Sequence, residues 1–147
     1  MVQIDEMNRK ILRLLMTDGK MTYNEVAQWL RRSPSTIRDR ITRLEDDKII
    51  LGYITLVSYE RMGMKVEGIV LANLAPDVNP DKLRYLAKVS GVLEVLQVSG
   101  RKRVMVRVIA KDNRSLEELI DQQILPLGLE DVELRIVLES VMRFPGA

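Results

Sequence analysis

Two helix starts lie close together near the beginning of the chain, and few arrangements can accommodate them. Thr22-Tyr-Asn-Glu25 has the capping-box pattern, in which a hydroxyl and a carboxylate each satisfy the other's free backbone N–H. Val26, Ala27, Trp29 and Leu30 continue a short helix from it. Ser33-Pro34 then opens a second helix. Ser33 can accept from the free N–H groups of the first turn, and Pro34 suits the first helical position because its missing donor has no partner there. Only Arg31 and Arg32 separate the two, so they are joined by a tight turn, which is a helix-turn-helix arrangement. An earlier helix capped by Asp5, striped by Met7, Ile11, Leu12, Leu14 and Leu15 and ended at Asp18-Gly19, completes a three-helix unit.

The helix from Ser33 to Asp47 has two faces with different jobs. Ile37, Ile41 and Leu44 fall at i, i+4 and i+7 and face a core. Ser35, Asp39, Thr42 and Arg43 lie opposite, with Thr36 and Arg38 on the flanks and Arg40 near the core edge. Between Arg31 and Arg43 there are five arginines against one acid, Asp39, whereas the whole chain carries only +2. Arg can pair phosphates or guanine edges, and Ser and Thr can reach either, so this face suits a major groove. A solvated basic face is the plain alternative for an isolated helix of this kind. The preceding capped helix and tight turn favour DNA. The start of the second helix, at Thr22, is expected to meet phosphates. Trp29, the only Trp, reads as a core or interface residue.

Composition narrows the rest. At 147 residues the chain suits one domain or two small ones. With 46% hydrophobic and 30% charged residues it is globular, and no apolar run approaches the roughly 20 residues of a membrane span. Met1 to Lys10 lacks the apolar stretch of a secretory signal, so the chain reads as cytoplasmic. It contains no Cys and no His. That excludes disulfides, thiolate metal sites and cysteine nucleophiles, and it removes the commonest general base and metal ligand. No metal, cofactor or catalytic residue is expected.

After Lys48 the pattern turns from helical to extended. Ile49, Ile50, Leu51, Tyr53, Ile54, Leu56 and Val57 predict a strand, with Gly52 a bend and Tyr59 to Gly63 closing the connector. From Lys65 the predicted order is strand (66–74), helix capped by Asn79 and ending at Ser90-Gly91, strand (92–98), strand (104–110), helix with a capping box at Ser115 to Glu118, and strand (132–141). That βαββαβ order is the ferredoxin-like arrangement, and the fold class is α+β. The predicted divisions are a helix-turn-helix domain at 1–48, a connector strand at 49–63 and a ferredoxin-like domain at 64–147. Both faces of 66–74 are apolar, yet two helices cover only one face of a sheet, so the other is expected to meet a second subunit.

On these residues the chain resembles the Lrp/AsnC (feast/famine) transcriptional regulators. The matching residues in its first part are Ile4-Asp5, Ile11-Leu12, Glu25-Val26-Ala27, Ser33, Ile37, Arg40-Ile41, Arg43-Leu44-Glu45, Ile49-Ile50 and Gly52-Tyr53. Asp47-Lys48 replaces the family's usual Gly after Leu-Glu, and Pro34 directly follows the cap. The resemblance implies a winged-type helix-turn-helix head, a connector strand that pairs with its mate in a dimer, and a C-terminal (RAM/AsnC) domain that binds an effector and oligomerises, often to octamers. It also implies an effector loop at the turn Ser99-Gly100-Arg101-Lys102-Arg103. Family members commonly carry an Asp three residues after this Gly, where the present chain has Arg103. An Arg there favours a carboxylate or other anion over an ammonium. A solvated basic turn with no ligand role is the competing reading.

Three functions then stand against one another. The first is a sequence-specific regulator that binds pseudo-palindromic double-stranded operators as a homodimer or higher oligomer, tuned by an amino acid or anionic metabolite. Thr22, Ser33, Ser35, Thr36, Arg38, Asp39, Arg40, Thr42 and Arg43 would form its DNA face. The second is an architectural DNA-compacting protein that uses the same arginines on phosphates. The third is a tetrapyrrole-modifying enzyme such as siroheme decarboxylase, whose architecture looks like this family's but which is expected to use His.

Overall fold

The computed structural model describes residues 3–141 and divides them into two compact units, 3–56 and 57–141. In the first, three helices surround a small core: α1 (Glu6–Thr17), α2 (Tyr23–Leu30) and α3 (Pro34–Asp46). Each starts where a side chain caps it. Asp5 accepts from the Asn8 N–H at 2.7 Å, Thr22 and Glu25 complete the capping box, and Ser33 accepts from the Thr36 N–H at 3.3 Å. Ile37, Ile41 and Leu44 pack against Ile11, Val26 and Ala27, and none of the six is more than 2% exposed. At roughly 1.5–3 kcal/mol for each large side chain, this burial holds the three helices together.

The helix ends are less ordinary than the starts. The N–H groups of Arg32 and Arg31 bond to the Ala27 and Gln28 carbonyls, and Arg31 takes φ 51°. After α3 the N–H groups of Ile49 and Lys48 bond to the Leu44 and Glu45 carbonyls, with Lys48 at φ 58°. Both are Schellman closures, and both place a basic residue in the left-handed conformation that usually goes to Gly.

Beyond α3 the expected connector strand is not formed. Residues 51–58 carry no regular structure, and among the described residues no strand or wing accompanies the three helices. A strand needs a second hydrogen-bonding edge, and the single chain supplies none here. Leu51 (87% exposed) and Ile54 (81%) therefore face solvent. Tyr53 donates its hydroxyl to Glu45 at 2.9 Å, and partial burial together with that carboxylate pushes its phenol up to about 12.

The second unit is one antiparallel sheet in the order β2-β3-β1-β4, built from β1 (Val66–Leu74), β2 (Val92–Gln97), β3 (Val104–Ala110) and β4 (Leu129–Ile136). This is the ferredoxin-like sheet. Its core joins Val70, Ala72, Val104, Val106 and Val108 to Leu83, Leu86, Leu116 and Ile124 from the helical segments. Gly91, just before β2, takes φ 91°, and its carbonyl accepts from the Ile109 N–H at 2.7 Å. A Cβ there would stand 2.8 Å from the Ile109 carbonyl oxygen, so no larger residue fits.

Three elements differ from expectation. The Asn79-capped helix, Pro80–Lys88, is wound as a 3-10 helix. The second helix of this unit, α4 (Asn113–Leu119), is capped by Asp112, which accepts from the Ser115 N–H at 2.8 Å, so Ser115 is not the cap. The Asp112 carboxylate takes the Ser115 N–H that Glu118 would have held in a capping box, and the helix starts three residues earlier. The helix continues through a wider turn, Ile120–Ile124, before Pro126. Finally, β4 begins at Leu129 and ends at Ile136, whereas 132–141 was expected. Gly68 pairs with Ile136 and β1 starts at Val66, so the ladder runs out of partners soon after that point.

Replacing Lys48 with Gly should relieve the left-handed strain at the end of α3, offset in part by a freer unfolded chain. We expect a gain of about 0.5–1 kcal/mol in head stability, read from the urea midpoint by circular dichroism.

Candidate functional site

The outer face of α3 sorts into residues spent inside the head and residues left outward. Ser33 Oγ holds the Thr36 N–H and also lies 2.7 Å from Thr36 Oγ1 and 3.2 Å from Ser35 Oγ. Thr22 is engaged in its capping box, donating through its backbone N–H to Glu25 at 2.7 Å and through its hydroxyl at 2.9 Å. That bonding holds the Glu25 carboxyl below its usual range, chiefly through the Thr22 backbone N–H.

Arg40 faces inward more than its expected role on phosphate or guanine requires. One guanidinium nitrogen donates to Asp5 at 2.7 Å and to the Asn8 side-chain oxygen at 3.0 Å. Asn8 is 1% exposed, and its amide nitrogen donates to the Gln3 carbonyl at 2.8 Å. A buried amide must have both ends satisfied, and Arg40 supplies the donor its oxygen needs. The contact also pins α3 to the start of α1. The Asn8 N–H lowers the Asp5 pKa most, and Arg40 adds to the effect.

Outward-facing, by contrast, are Ser35, Arg38, Asp39, Thr42 and Arg43. Arg38 and Asp39 approach at 3.8 Å while both side chains stay more than 60% exposed, a loose surface pair. Among the described residues no ion pair involves Arg43 or Arg31. Arg31 and Arg32 lie exposed in the turn before α3, and the sequence shows their charge but not the left-handed backbone of Arg31. Trp29 is 72% exposed, which removes the core reading and leaves that of an interface residue.

In the second unit the turn 99–103 sits between β2 and β3 with Gly100 at φ 107°. Of its three bases Lys102 alone forms an ion pair among the described residues: it meets the Asp131 carboxylate at 2.6 Å and also donates to the Asp131 carbonyl. Asn73 accepts from the Arg103 N–H at 3.0 Å and donates to Asp131 at 3.2 Å. Lys102 is the main reason the Asp131 carboxyl stays below its usual range. Asp131 and Asn73 carry no sequence signal for this role, because only strand register brings them to the turn. Among the described residues no group of three or more His, Cys, Asp or Glu lies together as a metal would require.

A capped pair of helices presenting a polar, arginine-rich third helix, joined to a separate ferredoxin-like body, is the build of a helix-turn-helix DNA-binding regulator with an accessory domain. Comparison with known proteins gives the family. Residues 4–45 match the AsnC-type helix-turn-helix domain and residues 68–146 the Lrp/AsnC ligand binding domain. The chain belongs to the Lrp/AsnC family of transcriptional regulators. It is 32% identical to an uncharacterized HTH-type transcriptional regulator of Pyrococcus abyssi, over 97% of this chain and 90% of that one. The structure of Escherichia coli AsnC is similar at 25% identity and a TM-score of 0.86, covering 98% of both chains. A Neisseria meningitidis regulator solved with L-Met shares the fold at 23% identity and a TM-score of 0.89, over 96% of this chain and 94% of that one.

Replacing Arg40 with Ala should leave the buried Asn8 oxygen without its donor and destabilise the head by about 1–3 kcal/mol. Arg38→Ala and Arg43→Ala, at exposed positions, should stay within about 0.5 kcal/mol of the parent in the same urea titration. Acid should weaken the head as well. A carboxyl whose folded pKa is depressed contributes stability in full above its ordinary value and loses it as pH falls through the folded one. Thermal stability should therefore fall as pH drops below the ordinary values of 3.8 for Asp5 and 4.5 for Glu25, and Asp5→Asn should reduce the fall.

Proposed function

We propose that this regulator reads operator DNA by laying the Ser35, Arg38, Thr42 and Arg43 face of α3 in the major groove, with Thr36, Asp39 and the α2 N-terminus at Thr22 flanking it. One observation carries the reading. The face opposite is wholly buried through Ile37, Ile41 and Leu44, so the head cannot turn Arg38 and Arg43 inward, and Arg43 has no acid partner among the described residues. Arg40 and Ser33 support this face from within, Arg40 through Asp5 and Asn8 and Ser33 as the helix cap. The protein acts on DNA by binding alone, without catalysis, in the cytoplasm.

Two copies bind together on a pseudo-palindromic site. The exposed apolar segment that holds Leu51, Tyr53, Ile54, Leu56 and Val57 supports that assembly, since it needs cover that one chain does not supply. A dimer places two recognition helices on half-sites spaced by multiples of about 34 Å. Dimers assemble further, to the octamers that the family resemblance suggests. Effector control by the second unit follows from its match to a ligand binding domain and from the L-Met bound by the Neisseria relative.

Sites selected from a random DNA library test this directly. The selected duplex should bind at least about 10³-fold tighter than scrambled duplex at one fixed salt concentration. A ratio near one would support the architectural reading instead. Arg38→Ala or Arg43→Ala should weaken specific binding by about 5- to 150-fold if the residue reads a base, or reduce the salt slope by about one if it holds a phosphate.

A further inference from the structure

Beside the 99–103 turn lies a cleft of about 670 Å³ whose lining includes Arg101, Arg103, Glu130, Asn73 and Gln97 over an apolar wall formed in part by Val98. We propose that this cleft binds an acidic α-amino acid, with the two guanidiniums on its two carboxylates and Glu130 on its ammonium. This rests on the reading of the second unit as a ligand-binding body and specifies the ligand.

The fold sets the charge balance of this cleft. The turn carries three bases, but Lys102 is already neutralised by Asp131. Asp131 is at φ 53° on β4, where the pairing with β1 shifts register between Leu71 and Asn73. The irregularity brings Asp131 to Lys102, and Asn73 ties both the Asp131 side chain and the Arg103 backbone to β1. That fixes the turn. Among the described residues no ion pair or hydrogen bond joins the side chains of Arg101 and Arg103 to an acid, although Arg101 adds to the field that lowers Asp131, and none joins Glu130 to a base. Two cations and one anion then face one cleft.

A neutral amino acid such as methionine brings one carboxylate and one ammonium, which leaves one guanidinium unanswered. A dicarboxylate without an amine answers both arginines but sets a bare Glu130 against an anion, and inorganic phosphate does the same. Aspartate or glutamate matches all three groups. Guanidinium–carboxylate pairs are geometrically selective as well as strong.

Calorimetric titration of the full chain with L-aspartate, L-glutamate, L-methionine, succinate and inorganic phosphate tests the assignment. One acidic amino acid should bind at least about tenfold tighter than the other three ligands. Arg101→Gln and Arg103→Gln should each weaken that binding by about tenfold or more, and Glu130→Gln should abolish the preference for the amino acid over succinate. Both arginines are exposed, so these variants should keep the parent's circular dichroism, and the ligand panel on the unaltered chain gives an independent answer. Methionine binding as tightly as the acidic amino acids would overturn the proposal, as would unaltered binding by the variants or no binding of either acidic ligand. Operator binding measured on the same preparation separates the failures. If DNA is bound and no acidic ligand is, this proposal alone falls; if DNA is not bound, the regulator reading falls first.

Discussion

Burial of three side chains, Ile37, Ile41 and Leu44, fixes which way the third helix can face. Because they close the head against Ile11, Val26 and Ala27, α3 cannot rotate about its axis without exposing its only apolar stripe. The polar face is therefore committed outward by the core, while the Arg40 contact with Asp5 and Asn8 sets the position of α3 against α1 at one further point. Packing thus decides which side of α3 is left outward: the same helix supplies half of the head's buried apolar side chains and, on the reading proposed above, most of the DNA face.

The body uses a different device. Its sheet has an ordinary antiparallel core, but an irregular step in β4 places an aspartate against the β2–β3 turn and removes one of three positive charges. What remains is a cleft whose charge pattern is set by register. On the proposal above, the unit answers an acidic amino acid while keeping the fold it shares with the Neisseria regulator solved with L-Met.

The sequence carried the head almost in full, because capping signals and helical periodicity are local. Asp5, Thr22 and Ser33 each cap the helix they were expected to cap. The order of strands and helices in the body was equally legible. Other features depended on contacts distant in sequence. The inward partners of Arg40 lie 35 and 32 residues away, so helical phase placed it only near a core edge. The connector's apolar pattern signalled burial, but a strand forms only against a second edge. Asp112 displaced Ser115 because both can cap a helix and only geometry chooses between them. The left-handed Lys48 stood out in the sequence only as a missing Gly, yet the structure holds that residue in the conformation a Gly would take.

Methylation interference on the selected operator shows which groove α3 occupies, since guanine N7 lies in the major groove and adenine N3 in the minor groove. N7 methylation at guanines in two related half-sites should block binding, while N3 methylation should have little effect. Interference confined to adenine N3, or none at any base, would contradict a major-groove reading by the outer face of α3.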